Sequence, residues 1–323
     1  MGKFFESFTQ EFSPTRKRLS TMSTVSSHKM LTEDSPRGMP PFQGSGLSPE
    51  LYAKATRILS ELTSYQKVMV AFSGGVDSSL VALLAKMALQ DGAIAVTADS
   101  PSLPSSELRE AKELARRIGI KHIVVKTDEL QDPNYVANPA NRCYFCKKEL
   151  GEKLMDLARE LGNYTIVDGT NAEDLKGHRP GTAALSEKGI RRPLADAGMM
   201  KDEVRGLAKS LGLSNHEKPS MPCLSSRVAY GEIITPERLL RIERAETMVR
   251  SLTGVKELRV RDHGNIARIE VGRSERNLFF DEQLLDKISE ALRDLGYAHV
   301  ALDMTGYRSG SMNGPSPSMR DRK

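Results

Sequence analysis

Residues 68–72, VMVAF, form a short unbroken apolar run, the pattern of a strand buried on both faces. Leu80, Val81, Leu83, Leu84, Met87 and Leu89 then recur at helical spacing. Between the two lies SGGVDSS, so the pattern predicts strand, glycine turn and helix in direct succession. Upstream, Leu51, Ala55, Ile58, Leu59 and Leu62 mark an amphipathic helix that begins near Ser48. Downstream, residues 93–98 predict a second buried strand ending at Asp99. Leu108, Ala111, Leu114, Ala115 and Ile118 follow on a helix with Pro104 in its first turn. Ile123, Val124 and Val125 predict a third strand, and Thr165, Ile166 and Val167 a fourth that runs into Asp168, Gly169, Thr170 and Asn171. Strands alternating with helices imply an α/β fold, a doubly wound parallel sheet with ligands at the strand C-terminal ends. Gly74, Asp99 and Gly169 all fall at such ends, as one ligand site would require.

After Pro236 the pattern changes. Leu239, Leu240, Ile242, Ala245 and Met248 predict a helix, residues 258–260 and 266–271 a hairpin turning at His263, Gly264 and Asn265. A second helix through Leu284, Leu285, Ile288 and Leu292 and a last strand at 300–302 complete a smaller C-terminal α+β domain. The expected organisation is therefore an extension over 1–46, a nucleotide domain over 47–232, the small domain over 233–305 for substrate and oligomer contacts, and a Gly/Ser/Pro tail over 306–323.

The glycine turn carries the first chemical signal. Paired Gly74 and Gly75 let the main chain approach an anion closely, and a helix N-terminus with unpaired amides favours negative charge there. Asp77 would repel phosphate oxygens unless a cation stood between, so its presence implies Mg²⁺. An ordinary capped strand-to-helix turn is the plainer alternative. Ser73, Gly74, Gly75, Asp77, Ser78 and Ser79 after a buried strand resemble the pyrophosphatase loop of the PP-loop ATPases, which cleave ATP between the α- and β-phosphates. The spaced glycines and lysine of a Walker loop are missing.

Charge narrows the partners. The 323 residues carry a net charge of +5, yet residues 1–46 hold six Lys/Arg against four Asp/Glu and residues 305–323 hold four against one, leaving 37 of each sign between them. A neutral body argues against a broad nucleic-acid face. No apolar run approaches the roughly 20 residues of a membrane helix, and 1–46 lacks the apolar core of a secretory signal. Arg16, Lys17 and Arg18 among Ser and Thr suit an organellar transit segment, against which Glu6 and Glu11 count, so the expected location is cytoplasmic.

Cys143, Cys146 and Cys223 are the chain's three cysteines. An odd number without a secretory signal argues against a disulfide framework. Arg142, Lys147, Lys148 and Arg227 nearby would lower thiol pKa values and suit thiolates. Spacing alone leaves open a [4Fe–4S] cluster with one iron free for an external ligand, zinc completed by His178 or His216, and metal-free thiols.

Several stretches together, TADSPSLPSSELREAKELA, NRCYFCK, VDGTNAEDLKGHRPGTAAL, RRPLADAGMMKDEVR, PCLSSRVAYGE and LRVRDHGNIARIEVG, are similar to the LarE-type sulfur transferases that build the nickel-pincer nucleotide. The resemblance spans about residues 48–312. It implies an adenine nucleotide α-hydrolase-like domain, ATP and Mg²⁺, a homo-oligomer, and a sulfide donor. It also implies adenylation of a carboxylate of pyridinium-3,5-biscarboxylic acid mononucleotide followed by displacement of AMP by sulfur. Of the family's two versions, one sacrifices the sulfur of a cysteine at the position of Cys223, and the other holds a [4Fe–4S] cluster on three cysteines. With Cys143 and Cys146 beside Cys223, this chain resembles the cluster version. Asp99, Gly169 and Thr170 are then expected at ATP. Arg227, Arg259 and Arg261 are expected at the substrate anions unless the last two face solvent, and Glu270 at a second metal.

Overall fold

The computed structural model describes residue 42, residues 46–176 and residues 180–308. The extension with its transit-segment pattern lies almost wholly outside the described residues, as does His178.

Helix α1 (Pro49–Ser64) begins where Ser48 accepts the Leu51 amide at 3.2 Å with Pro49 at its first position. Strand β1 (Val68–Ala71), helix α2 (Val76–Leu89) and strand β2 (Ala93–Asp99) form the first crossover. Helix α3 (Ser105–Ile118) starts after Pro104, which is its N-cap and stands just outside the first turn; the helix leads to β3 (Lys121–Lys126). The short α4 (Pro133–Val136) and the long α5 (Arg142–Glu160) carry the chain back across the sheet to β4 (Thr165–Val167). Helices α6 (Pro180–Glu187), α7 (Pro193–Asp196) and α8 (Lys201–Ser210) follow.

All four strands are parallel, in the order β3-β2-β1-β4. Alternation of side chains along the strands divides the core in two. Val68, Val70, Ala93, Ala95 and Val167 pack on α1, α2, α3 and α8, while Met69, Ile94, Val96 and Ile166 pack on Leu154 and Ala158 of α5 and Leu185 of α6. Both faces are covered, which is why the strands read as unbroken apolar runs.

The second sheet comprises β5 (Leu258–His263), antiparallel to β6 (Ile266–Val271), which pairs in parallel with β7 (His299–Leu302). Helices α9 (Pro236–Thr253) and α10 (Glu282–Asp294) cover it through Ala245, Val249, Ile288 and Leu292. Between the sheets, Tyr135, Leu224, Val228, Ile234, Leu239 and Ile242 form a shared cluster, and Val228 bridges to Asp262 of β5. The segment around Cys223 is thereby held by both halves. Among the described residues no helix is long and apolar enough to cross a membrane.

Candidate active site

The chain runs outward from β1 to β3 and returns to β4, so the strand order reverses between β1 and β4. A crevice opens at such a switch point. Here it is a cleft of about 840 Å³ lined by Ser73, Gly75, Asp77 and Ser78 after β1 and by Asp168, Gly169 and Thr170 after β4. Ser78 Oγ accepts the Ser73 amide at 3.2 Å, and Ser79 Oγ donates to the Gly75 carbonyl at 2.7 Å, which folds the loop onto the start of α2. Gly74 and Ser79 shape this turn without lining the cleft: Gly74 has φ +71°, and Ser79 is fully buried. Asp99 ends β2, and although its neighbours Ala98 and Ser100 line the adjoining cavity, Asp99 lines neither cavity.

Gly169 packs directly on the loop; a Cβ there would stand 2.5 Å from the Ser78 nitrogen and 2.8 Å from its Cα. Gly169→Ala is expected to cost about 1–3 kcal/mol through overpacking against backbone and to weaken ATP binding. Melting temperatures with and without ATP check this, and unchanged values in both would mean the loop yields freely.

Asp77 does not stand free. Lys201 at the start of α8 makes an ion pair with its Oδ2, and Asn171 Nδ2 donates to Oδ1 at 3.2 Å. Neither partner stands out as a site residue in the sequence, although Asn171 and Lys201 both lie in stretches that carry the family resemblance. Asp168 accepts the Thr170 amide at 2.8 Å on Oδ1, while Oδ2 is buried without a partner. Burial pushes the Asp168 carboxyl above its ordinary range.

A second cavity of about 310 Å³ is lined by Cys143, Cys146 and Cys223 together, with Ser102, Tyr135 and Arg142 in its wall. Cys143 and Cys146 lie in the first turns of α5, three residues apart and so on one face. The expectation of lowered thiol pKa values is overturned for this pair. Crowding by surrounding protein raises both, Cys146 to about 12, and outweighs the opposing charge of Lys147, although the Cys143 residue still reaches solvent and Cys146 is half-buried. Among the described residues no three His, Cys, Asp or Glu side chains are already drawn together as metal ligands. His216 is turned elsewhere, with Nδ1 at 2.8 Å from the Leu213 carbonyl.

The arginines are buried, so the solvent-facing alternative for Arg259 and Arg261 is excluded. Arg227, 0 % exposed, spends its guanidinium on Glu246 at 2.9 Å and on the carbonyls of Pro222 and Cys223 at 2.5 and 3.0 Å. Arg261 pairs with Glu270 at 2.7 Å and donates to the Ser226 carbonyl at 2.9 Å. Glu270 also holds Arg268 at 3.1 Å, so its carboxylate is committed to guanidinium groups. Arg259 stacks on Tyr307 at 4.8 Å and donates to the Leu258 carbonyl at 2.6 Å, with no ion pair among the described residues. Burial, reinforced by the like charge of Arg227, holds its pKa below the ordinary arginine value.

Comparison with known proteins supplies the context. The asparagine synthase family model matches residues 57–139. The chain is 46% identical over 247 residues to an uncharacterised Synechocystis protein, covering 76% of this chain and 92% of that one. It is 36% identical over 264 residues to the pyridinium-3,5-bisthiocarboxylic acid mononucleotide synthase of Lactiplantibacillus plantarum, covering 81% of this chain and 95% of that enzyme. A glutamine-hydrolysing GMP synthase of Aeropyrum pernix is 30% identical over 198 residues, 56% of this chain and 39% of that enzyme. With the loop, the switch-point cleft and near-complete coverage in agreement, the chain belongs to the family of the pyridinium-3,5-bisthiocarboxylic acid mononucleotide synthases, the LarE-type enzymes of the PP-loop group.

Proposed function

We propose that the chain is an ATP-dependent sulfur transferase that adenylates a carboxylate of pyridinium-3,5-biscarboxylic acid mononucleotide and replaces the activated oxygen with sulfur. The observation that carries this reading is a shared wall: Ala71, Ser73, Cys143 and Lys147 line both the cleft and the three-cysteine cavity. A carboxyl activated in the cleft therefore adjoins the thiols.

A carboxylate is a poor electrophile because oxide is a prohibitive leaving group near neutral pH. In the first step its oxygen bonds to the α-phosphorus of ATP, and the bond to pyrophosphate breaks. Loop amides at the start of α2 face the departing charge. Asp77 and Asp168 are the carboxylates that would hold Mg²⁺, and the unpartnered Asp168 Oδ2 suits a cation. In the second step hydrosulfide forms the C–S bond as the C–O bond to AMP breaks, releasing AMP and one proton.

Three thiols on one cavity are a soft donor set that fits a [4Fe–4S] cluster, held by Cys143, Cys146 and Cys223, because metal binding displaces the protons that burial retains. When bound, the cluster supplies a place where sulfide can be renewed. Arg227 and Arg261 keep the Cys223 segment in position through its carbonyls. Arg259 lines neither cavity; as a buried cation without an ion pair among the described residues, it is assigned to a substrate anion. Arg259→Ala is expected to weaken mononucleotide binding by about ten- to a hundredfold, the worth of a charge-assisted hydrogen bond. Arg259→Lys should recover part of it. Calorimetric titration measures both, and equal affinity in all three proteins would remove Arg259 from the site.

We further assign residues 47–232 to nucleotide activation and 233–305 to substrate and subunit contacts. Phe280 is 80 % exposed, Met304 86 % and Ile233 59 %, which supports assembly into a homo-oligomer. A cytoplasmic enzyme with a small-molecule nucleotide substrate and no nucleic-acid or membrane partner fits this reading. An ammonia-dependent ligase of the GMP synthase kind leaves the three-cysteine cavity without a task. The test is to supply the mononucleotide, Mg-ATP and sulfide anaerobically and look by mass spectrometry for the thiocarboxylate with AMP and pyrophosphate. Amide formation with ammonia, or adenylation of tRNA in place of the mononucleotide, would overturn the reading.

A further inference from the structure

Arg142 opens α5, one position ahead of Cys143, and stands in the wall of the three-cysteine cavity. It is 5 % exposed. A guanidinium buried this deeply is expensive unless an anion and hydrogen bonds compensate it. Arg227 and Arg261, equally deep, each hold a carboxylate. Arg142 does not: one Nη donates to Asn138 Oδ1 at 3.1 Å, and the guanidinium lies over the Tyr230 ring at 4.8 Å. No carboxylate among the described residues pairs with it. Its Nε is buried with no hydrogen-bond partner at all. The first turn of α5 adds the positive end of the helix dipole beside the Cys143 and Cys146 thiols.

We propose that Arg142 binds the incoming hydrosulfide anion in this cavity, its guanidinium donating to the sulfur beside Cys143, Cys146 and Cys223. The size and lining of the cavity select the ligand. About 310 Å³ is shared with three cysteine side chains and walled elsewhere by Val96, Leu103 and Leu150, so a small, polarisable, weakly hydrated anion fits better than a phosphate. Phosphates have the neighbouring cleft of about 840 Å³. The inference rests on the sulfur-transfer reading above and adds where the sulfur waits before transfer. Binding needs no electron or group transfer, since hydrosulfide arrives as a monoanion and the guanidinium neutralises it.

The experiment uses the full chain reconstituted anaerobically with iron and sulfide, titrated with sodium sulfide and then desalted. Iron and acid-labile sulfide are quantified, and the cluster's electron paramagnetic resonance spectrum is followed during the titration. Wild-type protein should retain more sulfide than iron and show a saturable spectral change. Arg142→Gln should hold the same iron, lose the excess sulfide, and need on the order of ten- to a hundredfold more sulfide for the same change. Arg142→Lys, which keeps the charge and lacks the guanidinium donors, should fall between. Unaltered excess sulfide and affinity in Arg142→Gln overturns the proposal; should that variant fail to bind iron, wild-type affinity in Arg142→Lys does the same. A raised KM for the mononucleotide with sulfide binding intact would make Arg142 a substrate contact and overturn it too. Iron-free wild-type protein would sink the cluster reading and this inference together, a result distinguishable from failure of the inference alone.

Discussion

Asp77→Ala is expected to lower substrate-dependent release of pyrophosphate from ATP by at least about a hundred- to a thousandfold, the loss typical of removing one charge-stabilising group from an active site. The carboxylate stands in the first turn of α2, in the wall of the cleft, where phosphate oxygens would repel it unless a cation lay between. Lys201 pairs with it and Asn171 donates to it, so its orientation is fixed from α8 and from the loop after β4. The fold should survive. The pair with Lys201 is partly solvated, and such pairs are worth only about 0–1 kcal/mol. Lys201→Ala separates two explanations. If Asp77 serves only to hold Lys201, both variants lose activity alike. If Asp77 holds Mg²⁺, added magnesium shifts the apparent affinity in Lys201→Ala and rescues nothing in Asp77→Ala. An undiminished rate in Asp77→Ala would move the ATP site away from this loop.

How much of the molecule is legible in the sequence follows from how far apart the interacting residues lie. The strand at 68–71, the turn at Gly74 and the start of α2 are contiguous, and their apolar and glycine pattern alone determines them. Gly169 and Thr170 follow a strand that is just as plain. Helix α5 escapes a reading by periodicity because its buried face is thin, resting on Arg142, Gly151, Leu154 and Ala158 along a strongly charged segment. Helix α8 offers only Val204, Leu207 and Ala208, with Gly206 between them. The same limit governs the site. Lys201 meets Asp77 across 124 positions of sequence, and Arg227 meets Glu246 across 19, so neither ion pair leaves a local signature. Charged neighbours in NRCYFCK suggest activated thiols, yet desolvation by the protein packed around the cavity outweighs them at the Cys143 and Cys146 thiols. Arg259 and Arg261 alternate along β5 and so share one face, but what covers that face comes from residues 224–227 and Tyr307.

The two ways of supplying sulfur make opposite demands on the cysteines. With Cys143, Cys146 and Cys223 lining one cavity, anaerobically reconstituted protein given excess sulfide is expected to turn over repeatedly, and intact mass should show all three cysteines unchanged afterwards. Each single Cys→Ala variant should then lose nearly all multiple-turnover activity, because two thiolates hold an iron–sulfur cubane poorly. The variants should still release pyrophosphate from ATP at the first step, since the carboxylates of the cleft are untouched. If Cys223 instead gave up its own sulfur, one turnover would be the limit and the chain would lose the mass of H₂S, leaving dehydroalanine at that position. Cys143→Ala and Cys146→Ala would then keep single-turnover activity. The presence of the CxxC pair beside Cys223 weighs against that outcome. A sacrificial mechanism centred on Cys223 would have no use for two more thiols in the same cavity. Protein that is iron-free, active once, and lighter at residue 223 would decide for the sacrificial route.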